Sequence, residues 1–306
     1  MNILITIIPI FAVIALGWLA RRHGFMPPEF LGHANRLVYY FAIPALIFSA
    51  VSKGSLHTQL NVTVLTITLI SMVVAFAIAW GAVLLFCVRA PLAGSFIQGA
   101  VHGNLGYIGL AVAFYFLGHE GLARAGMVAG FMTILQNLFA VVALQAYSDQ
   151  SLGRKGLVRL GAKILGNPVI VSALAGIMFS MTGAPMPEVI DRVLKILGGM
   201  ALPMALLIIG ALLSFKLVRL KIVPVIGAGL IKLVLIPLSG FILFRMSGVA
   251  VSDYLPALIL LASPTATLVY VMGREMQGDC DFAVAAISMN TLLSGLTFLF
   301  WLYIAG

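Results

Sequence analysis

The chain has 306 residues, of which 62% are hydrophobic and only 9% charged, and it carries a formal net charge of +9. A soluble domain has about 25% charged residues, and one of this size could not hide so much apolar surface, so lipid must be the solvent for much of it. The basic residues are scattered between long uncharged runs, which argues against nucleic acid as a partner and fits the flanks of membrane spans.

Charges and Gly/Pro punctuation divide the chain into ten apolar segments, each near the roughly 20 residues that a bilayer core requires. The first covers residues 2–20. It lacks a basic n-region, its charges follow the apolar run and no small-x-small cleavage site is obvious, so it reads as a span and not a signal peptide. The second, 35–52, is short unless it extends back past Arg36, and holds Tyr39, Tyr40 and Pro44. The tyrosines either line a cavity or sit at the interface. The third, 60–88, is long, and so tilted or late in starting. The fourth, 95–118, is weakened by Gly99, Gly103, Gly106 and Gly109, with His102 and Asn104 among them. The fifth, 122–147, carries Thr133, Gln136 and Asn137. A basic linker, 148–165, separates this first half (1–147) from the second (166–306).

The second half continues with spans at 166–183, 189–214, 221–246, 254–273 and 279–304. Its seventh span holds Pro203, its eighth Lys232, its ninth Ser263, Pro264, Thr265 and Thr267, and its tenth Asn290 and Thr291. Sorting Lys and Arg by side places twelve on one face and five on the other. The positive-inside rule makes the first face cytoplasmic, puts both termini outside and places the basic linker in the cytoplasm. Cys87 and Cys280 then lie near the cytoplasmic face, with no metal or disulfide spacing.

A shift of 159 residues lays the chain on itself: Pro9 on Pro168, Gly17 on Gly176, Pro28 on Pro187, Glu29 on Glu188, Arg36 on Lys195 and Pro44 on Pro203. Five spans per half is an odd number, so the second copy enters the membrane upside down. The expected fold is therefore all-α and polytopic, with ten helices as a 5+5 inverted repeat, a signature of secondary transporters. Pro44 and Pro203 are expected to kink their spans.

The same shift carries Asn104 onto Ser263. Two equivalent helices thus have weak, polar middles, expected to break and cross at midplane with helix N-termini aimed at one anion. Close helix packing is the alternative reading of the glycines, and interhelical glue that of Gln136, Asn137 and Asn290. All nine acidic residues lie in loops or at span ends, which leaves no carboxylate relay and no set for an intramembrane protease. "GNLGYIG" lacks the Lys-Ser/Thr ending of a phosphate loop. No cofactor is expected. Lys232, at mid-span, should pair with freed carbonyls at the breaks or meet an anion directly, and His102 packs or senses protons.

"GNLGYIGLA" (Gly103 to Ala111), "ASPTATLVYVMGRE" (Ala262 to Glu275) and "YFAIPALIFSAV" (Tyr40 to Val51) resemble the auxin efflux carrier family, over essentially the whole chain. That resemblance implies crossed fourth and ninth helices, an elevator-like movement, a small carboxylate as substrate and a homodimer as one possible assembly. Asn104 would bind the carboxylate, Pro264 would be the ninth-helix crossover proline and Gln136 a polar support. The expected binding set is Asn104, Gly103, Gly106, Tyr107, Ser263, Pro264, Thr265, Thr267, Gln136, Asn137 and Asn290. Many members have proline where this chain has Ala111, so here the fourth helix must break through glycines alone or break less. A bile-acid-type sodium symporter and a non-transporting membrane sensor are the other readings.

Overall fold

The computed structural model of the chain describes residues 3–53, 61–148 and 166–306. Nearly all of the expected basic linker lies outside the described residues. Among the described residues the secondary structure is helical, without strands and with one isolated β-bridge. Of the described helical segments, seven are long and apolar enough to cross a membrane, and three shorter apolar helices accompany them. The chain is an all-α polytopic membrane protein.

Helix α1 (Ile3–Arg22) is followed by α2 (Pro28–Leu37) and α3 (Ile43–Val51), joined through a π turn at Val38–Ala42. These last three form one run, Pro28–Val51, so the second span extends back past Arg36. Proline in the first turn of α2 loses no hydrogen bond there, and Glu29 suits the positive end of the helix. Pro44, at the start of α3, has no amide to offer, and the wide turn before it absorbs the mismatch. Helix α4 (Val62–Leu85) is capped by Asn61, whose Oδ1 accepts from the amides of Thr63 and Val64 at 3.0 and 3.2 Å. Helix α5 (Leu92–Val101) leads into the first break. Helix α6 (Leu110–Ala146) joins the rest of the expected fourth span to the fifth, with a kink at Gly118, where φ is 70° and ψ −160°. Glycine is the residue that adopts that backbone without strain.

In the second half, α7 (Pro168–Met181) is followed by α8 (Glu188–Gly199) and α9 (Ala201–Leu212), with the interruption at Met200 just before Pro203. A short α10 (Phe215–Leu220) precedes α11 (Ile222–Leu230), a π turn at Ile231–Leu235 and α12 (Ile236–Met246). Pro237 frees the carbonyl one helical turn back, that of Leu233, and Trp301 Nε1 donates to it at 2.9 Å. Helix α13 (Val251–Leu261) contains Pro256, which frees the Ser252 carbonyl; Arg124 donates to that oxygen at 3.1 Å. Helices α14 (Leu268–Glu275) and α15 (Cys280–Ala305) complete the chain.

Two close helix pairs frame the molecule. Helix α1 packs on α9, where a Cβ on Gly17 would strike the Leu207 carbonyl oxygen; α3 packs on α7, where a Cβ on Gly176 would lie 3.4 Å from the Phe48 carbonyl oxygen. Adding 159 to Gly17 and subtracting it from Leu207 gives the second pair, Gly176 and Phe48. Each first helix of one half thus meets the second helix of the other.

Candidate functional site

Helix α5 ends at Val101, and residues 102–104 are not helical before a π turn at Leu105–Gly109 restarts the helix. Helix α13 ends at Leu261, and α14 restarts at Leu268. The first break falls before Gly106 and Gly109, and Ala111 lies in regular helix beyond it.

The two breaks satisfy each other. The Asn104 amide donates to the Pro264 carbonyl at 2.7 Å, and the Ala266 amide donates to the His102 carbonyl at 2.9 Å. Gly103 and Thr265 form an antiparallel bridge between them. Backbone groups that lipid would leave bare are thereby paired inside the protein. Gly103 is needed at this point of approach: a Cβ there would lie 2.9 Å from Ser263 Oγ and 3.1 Å from Lys232 Cε.

Side chains hold the remaining backbone groups. Gln136 Oε1 accepts from the Gly103 amide at 3.1 Å. Thr265 Oγ1 donates to the Gly99 carbonyl at 2.8 Å and accepts from Asn290 Nδ2 at 2.7 Å. Lys232, 2% exposed, donates from Nζ to the Leu261 carbonyl at 2.8 Å, where α13 leaves its last carbonyls without helical partners. Asn104 Oδ1 caps the restarting helix by accepting from the Tyr107 amide at 3.3 Å. That leaves Asn104 Nδ2 buried without a partner, as His102 Nδ1 also is.

A cavity of about 290 Å³ lies against the first break, near the lower end of the roughly 300–1,000 Å³ of ligand pockets. Asn104, Gly103, Gly106, Tyr107, Thr267 and Gln136 of the expected set line it together. Ser263, Pro264, Thr265, Asn137 and Asn290 do not. Ser263 Oγ donates to Leu260, Asn137 Nδ2 donates to Thr133, and Thr265 and Asn290 form the relay just described, so these groups brace the wall from behind. Their polarity was visible in the sequence, but the partner each side chain would meet was not. Pro44 and Pro203 also stand outside the lining, beside Ile43, which is in it, and at a smaller cavity of about 140 Å³.

Two helix N-termini reach this cavity, the restart at Leu105 and that at Leu268. Each carries about half a positive charge. Among the described residues no acidic one lines the cavity, and Arg36 and His102 are the basic ones that do. Sequence reasoning used Arg36 for orientation, for the repeat and as the limit of the second span, and gave it no place at the site. The signal for more was its place in the expected second span, one turn before Tyr39 and Tyr40, which line the same wall. The cavity shares Asn35, Thr267 and Val271 with a neighbouring one of about 570 Å³ that extends to Arg21 and Ser214.

The sequence matches the model of a family described as "Membrane transport protein" over residues 2–151 and 153–302. It is 30% identical over 305 residues to a protein of Rhizobium meliloti (strain 1021) named "Putative malonate transporter", covering 97% of this chain and 94% of that one. An uncharacterized transporter of Methanocaldococcus jannaschii is 23% identical over 304 residues, covering 95% of each chain. One of Methanothermobacter thermautotrophicus is 23% identical over 301 residues, covering 97% of this chain and 96% of that one.

Proposed function

Because the chain belongs to the membrane transport protein family, the auxin efflux carrier-like group, we propose that it is a secondary carrier of small carboxylates. The observation that carries this reading is the cavity at the paired breaks. It offers two helix N-termini, the unpartnered Nδ2 of Asn104 and, among the described residues, no acidic side chain, an arrangement suited to one small anion. The relative named for malonate makes malonate the first solute to try.

The mechanism follows from the two halves. Ten membrane helices form a 5+5 inverted repeat; in support, the Gly17–Leu207 and Gly176–Phe48 contacts are related by the same 159-residue offset that relates the sequences. Fourth and ninth helices cross at the bridge, and the unit carrying them moves against the rest, exposing the cavity to alternate faces. In this conformation the cavity continues toward Arg21, on the side richer in Lys and Arg. By the positive-inside rule that side is cytoplasmic, both termini lie outside, and the conformation is inward-facing. Lys232 and Gln136 hold the crossover's own backbone, which keeps its shape while the unit moves.

The test is uptake of radiolabelled malonate into proteoliposomes. Wild type takes it up, and Asn104→Ala loses uptake while still purifying as a folded protein. Absence of flux for any carboxylate in wild type, or unaltered kinetics in Asn104→Ala, would refute the reading. Replacing sodium with potassium leaves uptake intact; a strict sodium requirement would point to the bile-acid-type symporter.

A further inference from the structure

We propose that Arg36 determines specificity in this cavity: it binds a second carboxylate of the solute, so the site selects dicarboxylates over monocarboxylates. The proposal rests on the carrier reading above and adds a residue and a solute class to it.

The cavity has two ends of different chemistry. At the crossover the donors are neutral: the Asn104 amide group, buried and unpartnered, and the first turns of two helices. Together those helix ends amount to about one positive charge, enough to offset one carboxylate. A second carboxylate in the same space needs its own counter-charge, because a charge taken from water unpaired is strongly disfavoured. Apart from His102, Arg36 is the ionisable cation lining the cavity among the described residues.

Arg36 is free for this task. It is exposed, and among the described residues it forms no ion pair. Its counterpart in the second half, Lys195, is bound to Asp191 at 2.7 Å, and Asp191 also holds Lys53 at 2.6 Å. The residue matching Asp191 in the first half is Gly32. The sequence thus supplies a carboxylate to one of the two equivalent cations and withholds it from the other.

The two ends lie along one wall. Arg36, Tyr39, Tyr40 and Ile43 follow one another along the cavity wall. Ile43 stands at the crossover, its Cδ1 3.9 Å from where a Cβ on Gly106 would be. Tyr107 rises from the restarting helix and donates its hydroxyl to Asn35 Oδ1 at 2.6 Å. One tyrosine side chain therefore spans from the crossover to the residue next to Arg36. A guanidinium is a rigid fork that grips a carboxylate with two parallel hydrogen bonds.

The experiment compares malonate with propionate, which has the same number of carbons and one carboxylate fewer. Affinity is read from thermal shifts of purified protein and from competition for uptake in proteoliposomes. Wild type is expected to prefer malonate by at least about tenfold. In Arg36→Gln the malonate-to-propionate preference falls at least tenfold, toward one; in Arg36→Lys, which keeps the charge and loses the fork, it is retained in part. Asn104→Ala weakens both acids. A wild type that binds both acids equally, or an Arg36→Gln protein that keeps the full preference, overturns the proposal and leaves the carrier reading standing. A wild type that carries no carboxylate overturns both. Should Arg36→Gln not fold, Arg36→Lys decides: malonate binding as tight as in wild type overturns the role of the fork and with it the proposal.

Discussion

Gln136→Leu tests whether the crossover is held by its neighbours or by its own backbone. Gln136 is 4% exposed, and its Oε1 is the acceptor for the Gly103 amide at 3.1 Å. Leucine fills most of the same volume and accepts nothing. The Gly103 amide is then buried without a partner, at a cost of about 1–3 kcal/mol, a factor of roughly 5–150 in the population of the assembled crossover. Melting of the purified protein should fall by several degrees, since about 1 kcal/mol corresponds to about 2–4 °C in chains of 150–250 residues. Uptake should fall with it. Gln136→Glu separates the two effects, because it keeps an acceptor for Gly103 and adds a negative charge to the cavity. Two like charges about 5 Å apart at an effective dielectric constant of about 20 repel by roughly 3 kcal/mol. That protein should lose anion uptake although the Gly103 amide keeps an acceptor. Wild-type melting and uptake in Gln136→Leu would show that the acceptor does not hold the break.

Two other perturbations follow from the packing. Gly17→Ala places a methyl group against the Leu207 backbone and should cost about 1–3 kcal/mol or more through overpacking, whereas Gly81→Ala, with nothing within 4 Å of the added carbon, should melt no lower than wild type in the same thermal assay. Thr265→Val and Asn290→Leu each cut the relay that ends on the Gly99 carbonyl. Their combined loss of stability should be smaller than the sum of the two, with a coupling of about 0.5–3 kcal/mol, and strict additivity in a double-mutant cycle would show that the two side chains act independently.

Many span limits were legible because lipid imposes a simple rule, long apolar runs bounded by charge, but of the ten expected spans seven described segments are long and apolar enough to cross, and the expected fourth and fifth run together in α6. The second helix reaches back to Pro28 because Arg36 faces a cavity and so does not end the span. The breaks were legible as clusters of glycine in one helix and Ser-Pro-Thr in the other, since both starve a helix of hydrogen bonds. The division of labour among the polar residues was not. Thr265 and Asn290 are as polar as Thr267 and Asn104, yet the first two turn inward to hold backbone and the last two border the cavity. The segments that hold Asn104, Thr265 and Thr267 are non-helical and have no fixed period from which to read such directions, and Asn290, though in regular helix, takes its partner, Thr265, from across the break. Arg36 was masked by a different ambiguity, because an arginine near a span end looks the same in sequence whether it anchors to a headgroup or faces a solute.

The exchange of partners between the halves bears on how the polypeptide is made. Helix α1 and the α2–α3 run are synthesised first, but the surfaces they fit belong to α9 and α7, more than a hundred residues later. During translation their small-residue faces must wait in the bilayer, covered by lipid or by an insertion factor. Neither half on its own holds the mate for its opening helices. Severed at the basic linker, the two pieces should accumulate when expressed together and be degraded when expressed apart.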